Sequence, residues 1–121
     1  MLDYQTLTLR NRGYVTPQVQ EKIRSTRLLI AGCGIGSSFA ETAVRLGFQH
    51  LTLVDGDVVD GHNLNRQDFT AADIGRPKAQ ALADRLRAIN PTLSVQAIPA
   101  NLDAHNTGEI VADADLVFDT I

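Results

Sequence analysis

Leu28-Leu29-Ile30-Ala31-Gly32-Cys33-Gly34-Ile35-Gly36 is the stretch that decides the fold. Four apolar residues without a polar interruption, ending at glycine, predict a strand buried on both faces, and such strands belong to parallel sheets covered on both sides. The glycines that follow permit a tight turn and let an anion approach backbone amides at the start of a helix. That helix is predicted directly afterwards. Phe39, Ala40, Ala43, Val44 and Leu46 recur at helical spacing, and Gly47 sits at the expected stop.

The same alternation runs through the rest of the chain. Leu51-Thr52-Leu53-Val54 predicts a second strand ending at Asp55, and a polar stretch without regular structure is expected from Gly56 to Gly75. A connection of that length is usually functional. From Pro77 onward, Ala79, Leu82, Ala83, Leu86 and Ile89 form one face of an amphipathic helix that stops at Asn90-Pro91. Leu93 to Ile98 predicts a third strand, Asn106 to Ala112 a short helix, and Asp115 to Asp119 a fourth strand. Upstream, Thr16-Pro17 reads as an N-cap and first-turn proline for a helix over Gln18 to Thr26, and the first fifteen residues are read as polar without an element.

Strands separated by helices predict an α/β fold, a Rossmann-like open parallel sheet with flanking helices and right-handed crossovers. The 121 residues suit one domain, residues 1–121, preceded by an N-terminal segment and helix within residues 1–26. Ligands in such folds sit at the carboxyl ends of the strands. The last predicted strand reaches that end two residues before Ile121, so the domain is expected to be incomplete at its C-terminus.

Composition removes several classes of function. Apolar residues at 44% and charged residues at 21% exclude a disordered tail, while 5% aromatics without tryptophan disfavour a base-stacking surface. Eleven Lys and Arg against fourteen Asp and Glu give a net charge of -3, which argues against broad binding to nucleic acid or an anionic membrane. Cys33, the one cysteine, makes neither an internal disulfide nor a zinc cluster. Met1-Leu2-Asp3-Tyr4-Gln5 lacks the apolar stretch of a signal peptide, and the longest apolar runs fall far short of the roughly 20 residues of a membrane span, so a cytoplasmic location is expected.

The glycine turn has the spacing G-x-G-x-G, one residue shorter than the dinucleotide fingerprint. Asp55, about 20 residues farther at the end of the second strand, stands where an acidic residue commonly accepts hydrogen bonds from ribose hydroxyls. Glycines and aspartate together point to an adenosine nucleotide, and a non-catalytic NAD- or FAD-type dinucleotide-binding module would show both. Taken singly, Lys78 and Arg76 read as solvated helix residues, Asn63 and Asn65 as turn formers, His62 as loop surface and Cys33 as a small apolar filler.

Four ordered segments give the polar stretch a more specific meaning. Asp55 to Val59 reads D-x-D-x-V, Asn63 to Gln67 reads N-L-x-R-Q, Gly75 to Lys78 reads G-x-x-K, and Ile89 to Pro91 reads I-N-P. In this order they resemble the ThiF/MoeB/HesA family, the ubiquitin-activating-type adenylating enzymes, over about Arg10 to Ile121. The glycine turn departs from the family's usual G-x-G-G-x-G by one glycine.

The resemblance implies ATP-dependent adenylation of the C-terminal carboxylate of a ubiquitin-like or sulfur-carrier protein. It implies nucleotide contacts at Gly32, Gly34, Gly36, Asp55, Asp57, Asn63, Asn65, Arg66, Gln67 and Lys78, with Arg66 and Lys78 as the catalytic cations. It also implies a homodimer in which Arg10, in Arg10-Asn11-Arg12-Gly13, reaches the partner subunit's site. Magnesium is implied as well: Asp119-Thr120-Ile121 matches the first three positions of the family's D-x-x-D, whose second aspartate binds the metal, so that ligand is expected just beyond Ile121 and none within the chain. On this reading the chain is the ATP-binding half of an enzyme and weakly active alone.

Overall fold

The computed structural model describes residues 1–121. Its strands are β1 (Arg27–Ala31), β2 (His50–Val54), β3 (Ser94–Ile98) and β4 (Leu116–Asp119), and its helices are α1 (Tyr4–Thr8), α2 (Pro17–Ser25), α3 (Gly36–Leu46), α4 (Lys78–Ile89) and α5 (Thr107–Val111). The four strands pair in parallel throughout, in the order β3-β2-β1-β4. Register brings Ala31, Val54, Ile98 and Asp119 level with one another, so all four carboxyl ends form one rim.

Period-2 alternation in β1 and β2 divides the core. Leu28, Ile30, Leu51 and Leu53 pack with α3 and α4 residues such as Ala40, Val44, Leu82 and Leu86 on one face. Leu29, Ala31 and Val54 face the other way, against Ile98 and α5 residues Ile110 and Val111. Each large apolar side chain buried this way contributes about 1.5–3 kcal/mol. The chain therefore crosses to the opposite face after β3, and β1 and β4 flank the point where the strand order reverses. Ligands of open α/β sheets bind outside the carboxyl ends at such a point.

β1 is buried on both faces as its sequence requires, whereas β4 is exposed along its whole length because it forms an edge. The N-terminal region departs from the sequence expectation. Residues read as elementless contain α1 and a 3-10 turn over Leu9–Gly13. Asp3 caps α1 by accepting the Thr6 N–H at 2.7 Å, and the Tyr4 hydroxyl donates to Gly47 O at 2.7 Å. A helix this short has little periodicity to read, and a tertiary hydrogen bond holds it.

The long loop between β2 and α4 is also more ordered than its composition predicts. It contains 3-10 turns at Gly61–Asn63 and Ala71–Asp73. Its two ends are fastened together by Val59 N–H to Arg76 O at 2.9 Å, Gly75 N–H to Val59 O at 2.8 Å and Lys78 N–H to Asp57 O at 2.9 Å. Val59 itself is fully buried and anchors the strap in the core.

Candidate functional site

The glycine turn leaves β1 at the rim, and its glycines are crowded by Thr120, which faces both Gly32 and Gly36, by Gln67 and by Ile30. Gly32 has a φ of 93°, and a Cβ there would lie 2.7 Å from the backbone oxygen of Thr120, just past β4. A Cβ on Gly34 would meet the Gln67 amide nitrogen at 2.9 Å, and one on Gly36 would meet Ile30 Cγ2 at 2.9 Å. Thr120 holds the turn against the β4 end, with its hydroxyl 3.0 Å from Ala31 O and 2.7 Å from Gly32 O.

Asp55 does more at this turn than the sequence suggests. Its Oδ2 accepts the Cys33 N–H at 2.7 Å, and its Oδ1 accepts the Asp57 N–H at 2.8 Å. The carboxylate thus ties the turn after β1 to the loop after β2, while a carboxylate's four or so lone-pair sites leave room for further donors. Cys33 lies fully buried beneath it. Burial, and secondarily the Asp55 charge, push this thiol up to about 12, with the Lys78 charge opposing. Cys33 is therefore protonated at every ordinary pH, and iodoacetamide at about pH 8 is expected to leave it unlabelled in the native protein and to label it on unfolding, as mass spectrometry would show.

Two clefts of about 350 Å³ each meet beside the turn, and Asp57, Gln67 and Lys78 line both. The inner cleft extends over Gly32, Gly34 and Asp55 to Asn101 and Leu102 after β3. The outer one passes under the loop between Asp60, His62, Asn63 and Arg66. Hollows of about 420 Å³ and 450 Å³ lie on the open sheet face near Leu29 and beside Tyr4; the first touches the strand rim only at Ile98 and the second not at all.

Lys78 is the unusual group. It is 7% exposed and is the first residue of α4, yet its ammonium makes no hydrogen bond or ion pair. The positive end of a helix dipole disfavours a cation there. The stem is buried while the ammonium opens onto the clefts, and an unpaired cation fixed on a cleft wall is placed to receive an anion. Nearby Arg76 shows the ordinary case, held by Asp73 at 3.2 Å and by Asp84. Gln67 adds a second unfilled group, since its buried Oε1 has no hydrogen-bond partner.

The remaining expected side chains divide. Arg66 lies in the outer cleft with one nitrogen donating to His62 O at 3.0 Å and Asn65 Oδ1 at 2.9 Å, leaving its other N–H groups free. Asn65 serves Arg66, and Asn63, 4% exposed, accepts the Asp60 N–H at 2.8 Å and so fastens the loop. Arg10 is not brought to the cleft. Its neighbour Asn11 donates to Leu46 O at 3.0 Å, at the far end of α3 from the glycine turn, about 15 Å away at 1.5 Å rise per residue. Asn101 and Leu102, absent from the sequence expectation, were detectable only from their place after a strand end.

A parallel sheet with a reversal of strand order, a glycine turn at its rim and an unpaired lysine facing that turn defines a Rossmann-like α/β domain with an anion-seeking cleft. Within that class the match is specific: the ThiF family matches residues 8–121, and the chain belongs to the ThiF family. It is 36% identical to the SAMP-activating enzyme E1 of Haloferax volcanii over 107 residues, covering 87% of this chain and 40% of that protein. It is 35% identical to the molybdopterin-synthase adenylyltransferase of Escherichia coli, covering 83% of this chain and 41% of that protein. Among solved structures, Escherichia coli tRNA N6-threonylcarbamoyladenosine dehydratase in complex with ATP has a TM-score of 0.92 at 26% identity, over 97% of this chain and 49% of that one. The chain spans about 40% of the length of these curated relatives.

Proposed function

We propose that the chain is the nucleotide-binding part of an ATP-dependent adenylating enzyme that activates the C-terminal carboxylate of a ubiquitin-like or sulfur-carrier protein. The observation that carries this reading is Lys78, a largely buried cation without a partner at the junction of two clefts. The adenylyltransferase names of the relatives and the ATP complex of the structural neighbour support it. The residues also fit the nucleotide: glycine backbone lines the inner cleft, Asp55 retains lone pairs for ribose hydroxyls, and Gln67 Oε1 awaits a donor.

In the reaction a carboxylate oxygen attacks the α-phosphorus, the P–O bond to the β-phosphate breaks, and pyrophosphate leaves an acyl-adenylate. Negative charge meets negative charge, so cations fixed before the reaction supply most of the help. Lys78 would hold the phosphates at the turn, and Arg66 would present the free side of its planar guanidinium farther along the tail. Arg10 would serve a second copy of the chain in a homodimer, since its own cleft lies at the other end of α3. No three His, Cys, Asp or Glu side chains gather as a metal site. Magnesium would be held by phosphate oxygens, water and a carboxylate, the ligand that the family resemblance puts just after Ile121.

No helix is long and apolar enough to cross a membrane. A net charge of -3 favours a protein carboxylate over an RNA-borne one. The test is ATP–pyrophosphate exchange with small carrier proteins, alongside calorimetry with ATP and with NAD. Arg66→Ala is expected to lower exchange about 10²- to 10³-fold. Exchange unaffected by Arg66→Ala, or a preference for NAD, would overturn the reading.

A further inference from the structure

The wall of the outer cleft carries another basic group, His62, along with Arg66 and Lys78. Its backbone is firmly placed. It sits at the centre of the Gly61–Asn63 turn, which is closed by Asn63 N–H to Asp60 O at 2.9 Å, and its carbonyl receives the Arg66 guanidinium at 3.0 Å. The ring is held much more loosely. Nδ1 is 3.4 Å from Asn63 Nδ2 and Nε2 is 3.7 Å from Asp60 Oδ2, with the side chain 75% exposed. The first distance is long for a hydrogen bond and the second is beyond one. A ring fixed at its backbone and free at its nitrogens, on the wall of an anion-seeking cleft, can turn a donor toward the bound anion.

We propose that His62 is a third cationic ligand for the phosphate tail of the nucleotide, acting only while its imidazole carries a proton. This rests on the reading of the clefts as a triphosphate site. The charged groups that share the cleft with the ring are Asp60 on its own turn, Arg66 just after it, and Asp57 and Lys78. A polyphosphate entering the cleft adds negative charge there, and added negative charge favours an imidazolium. By linkage, protonation then tightens polyphosphate binding. The sign follows from charge alone: an imidazolium contributes a cation to the cleft and a neutral ring does not.

Calorimetric titration of the full chain with ATP and with inorganic pyrophosphate, at about pH 5.5, 7 and 8.5, tests this on the wild type, His62→Asn and His62→Lys. The ratio of wild-type to His62→Asn affinity cancels the ligands' own protonation. It is expected to be near one at the alkaline end and about 3- to 10-fold at the acid end, for both ligands. His62→Lys, charged throughout, is expected to bind more tightly than wild type at the alkaline end. A loop-supporting role alone would weaken binding equally at every pH, and such a flat ratio overturns the proposal while leaving the triphosphate reading intact. Absence of ATP and pyrophosphate binding in all three proteins at all three pH values overturns both.

Discussion

Lys78→Met is expected to reduce ATP–pyrophosphate exchange by about 10³-fold or more while raising the thermal midpoint by a few degrees. The two effects have one cause. Lys78 is a mostly buried residue whose ammonium opens onto the clefts, has no ion pair and begins α4, where the helix dipole opposes it. Removing the charge relieves a dipole term of about 0.3–1 kcal/mol, and methionine replaces the aliphatic stem with similar apolar volume. Exchange falls because no other side chain reaches both clefts with a positive charge. Differential scanning calorimetry and exchange on the same preparations measure both halves. A variant that loses stability in proportion to activity would show that Lys78 is structurally satisfied after all, and retained exchange would remove the cleft from the proposed chemistry.

Much of this arrangement was legible in the sequence because it rests on short-range rules. Leu28 to Ala31 had to be a strand covered on both faces, and the glycines after it had to turn, since both follow from neighbouring residues alone. Lys78 was legible as a residue but not as an unpaired one, because pairing depends on what Asp57, Asp73 and Asp84 do in three dimensions. Arg76, two positions away, takes Asp73 and Asp84, and the Asp57 carbonyl takes only the Lys78 backbone N–H. The role of Asp55 was half legible. Its position after β2 marked it for a ligand, whereas its bond to the Cys33 amide depends on how closely two loops approach. α1 and its Tyr4–Gly47 bond, linking residues 43 apart, lay outside any local pattern.

The glycines make the second large prediction, because two with the same backbone sign should respond differently. Gly32→Val is expected to lower unfolding stability by about 3–5 kcal/mol, the sum of a strained positive φ and overpacking against rigid backbone. Gly32 has φ 93°, and its missing Cβ would sit 2.7 Å from Thr120 O and 2.8 Å from Thr120 C, atoms held by the Thr120 N–H bond to Ala31 O at 2.8 Å. Neither side can yield without opening the β1–β4 pairing. Gly75 has φ 86° but nothing within 4 Å of its missing Cβ, so Gly75→Ala removes only conformational ease and is expected to cost about 1 kcal/mol. Set against a total of about 5–15 kcal/mol for a domain, the first substitution threatens folding and the second does not. Chemical denaturation of the two variants decides the matter. Equal losses would mean that φ alone governs, and that the close approach of Thr120 to the turn does not constrain the cleft.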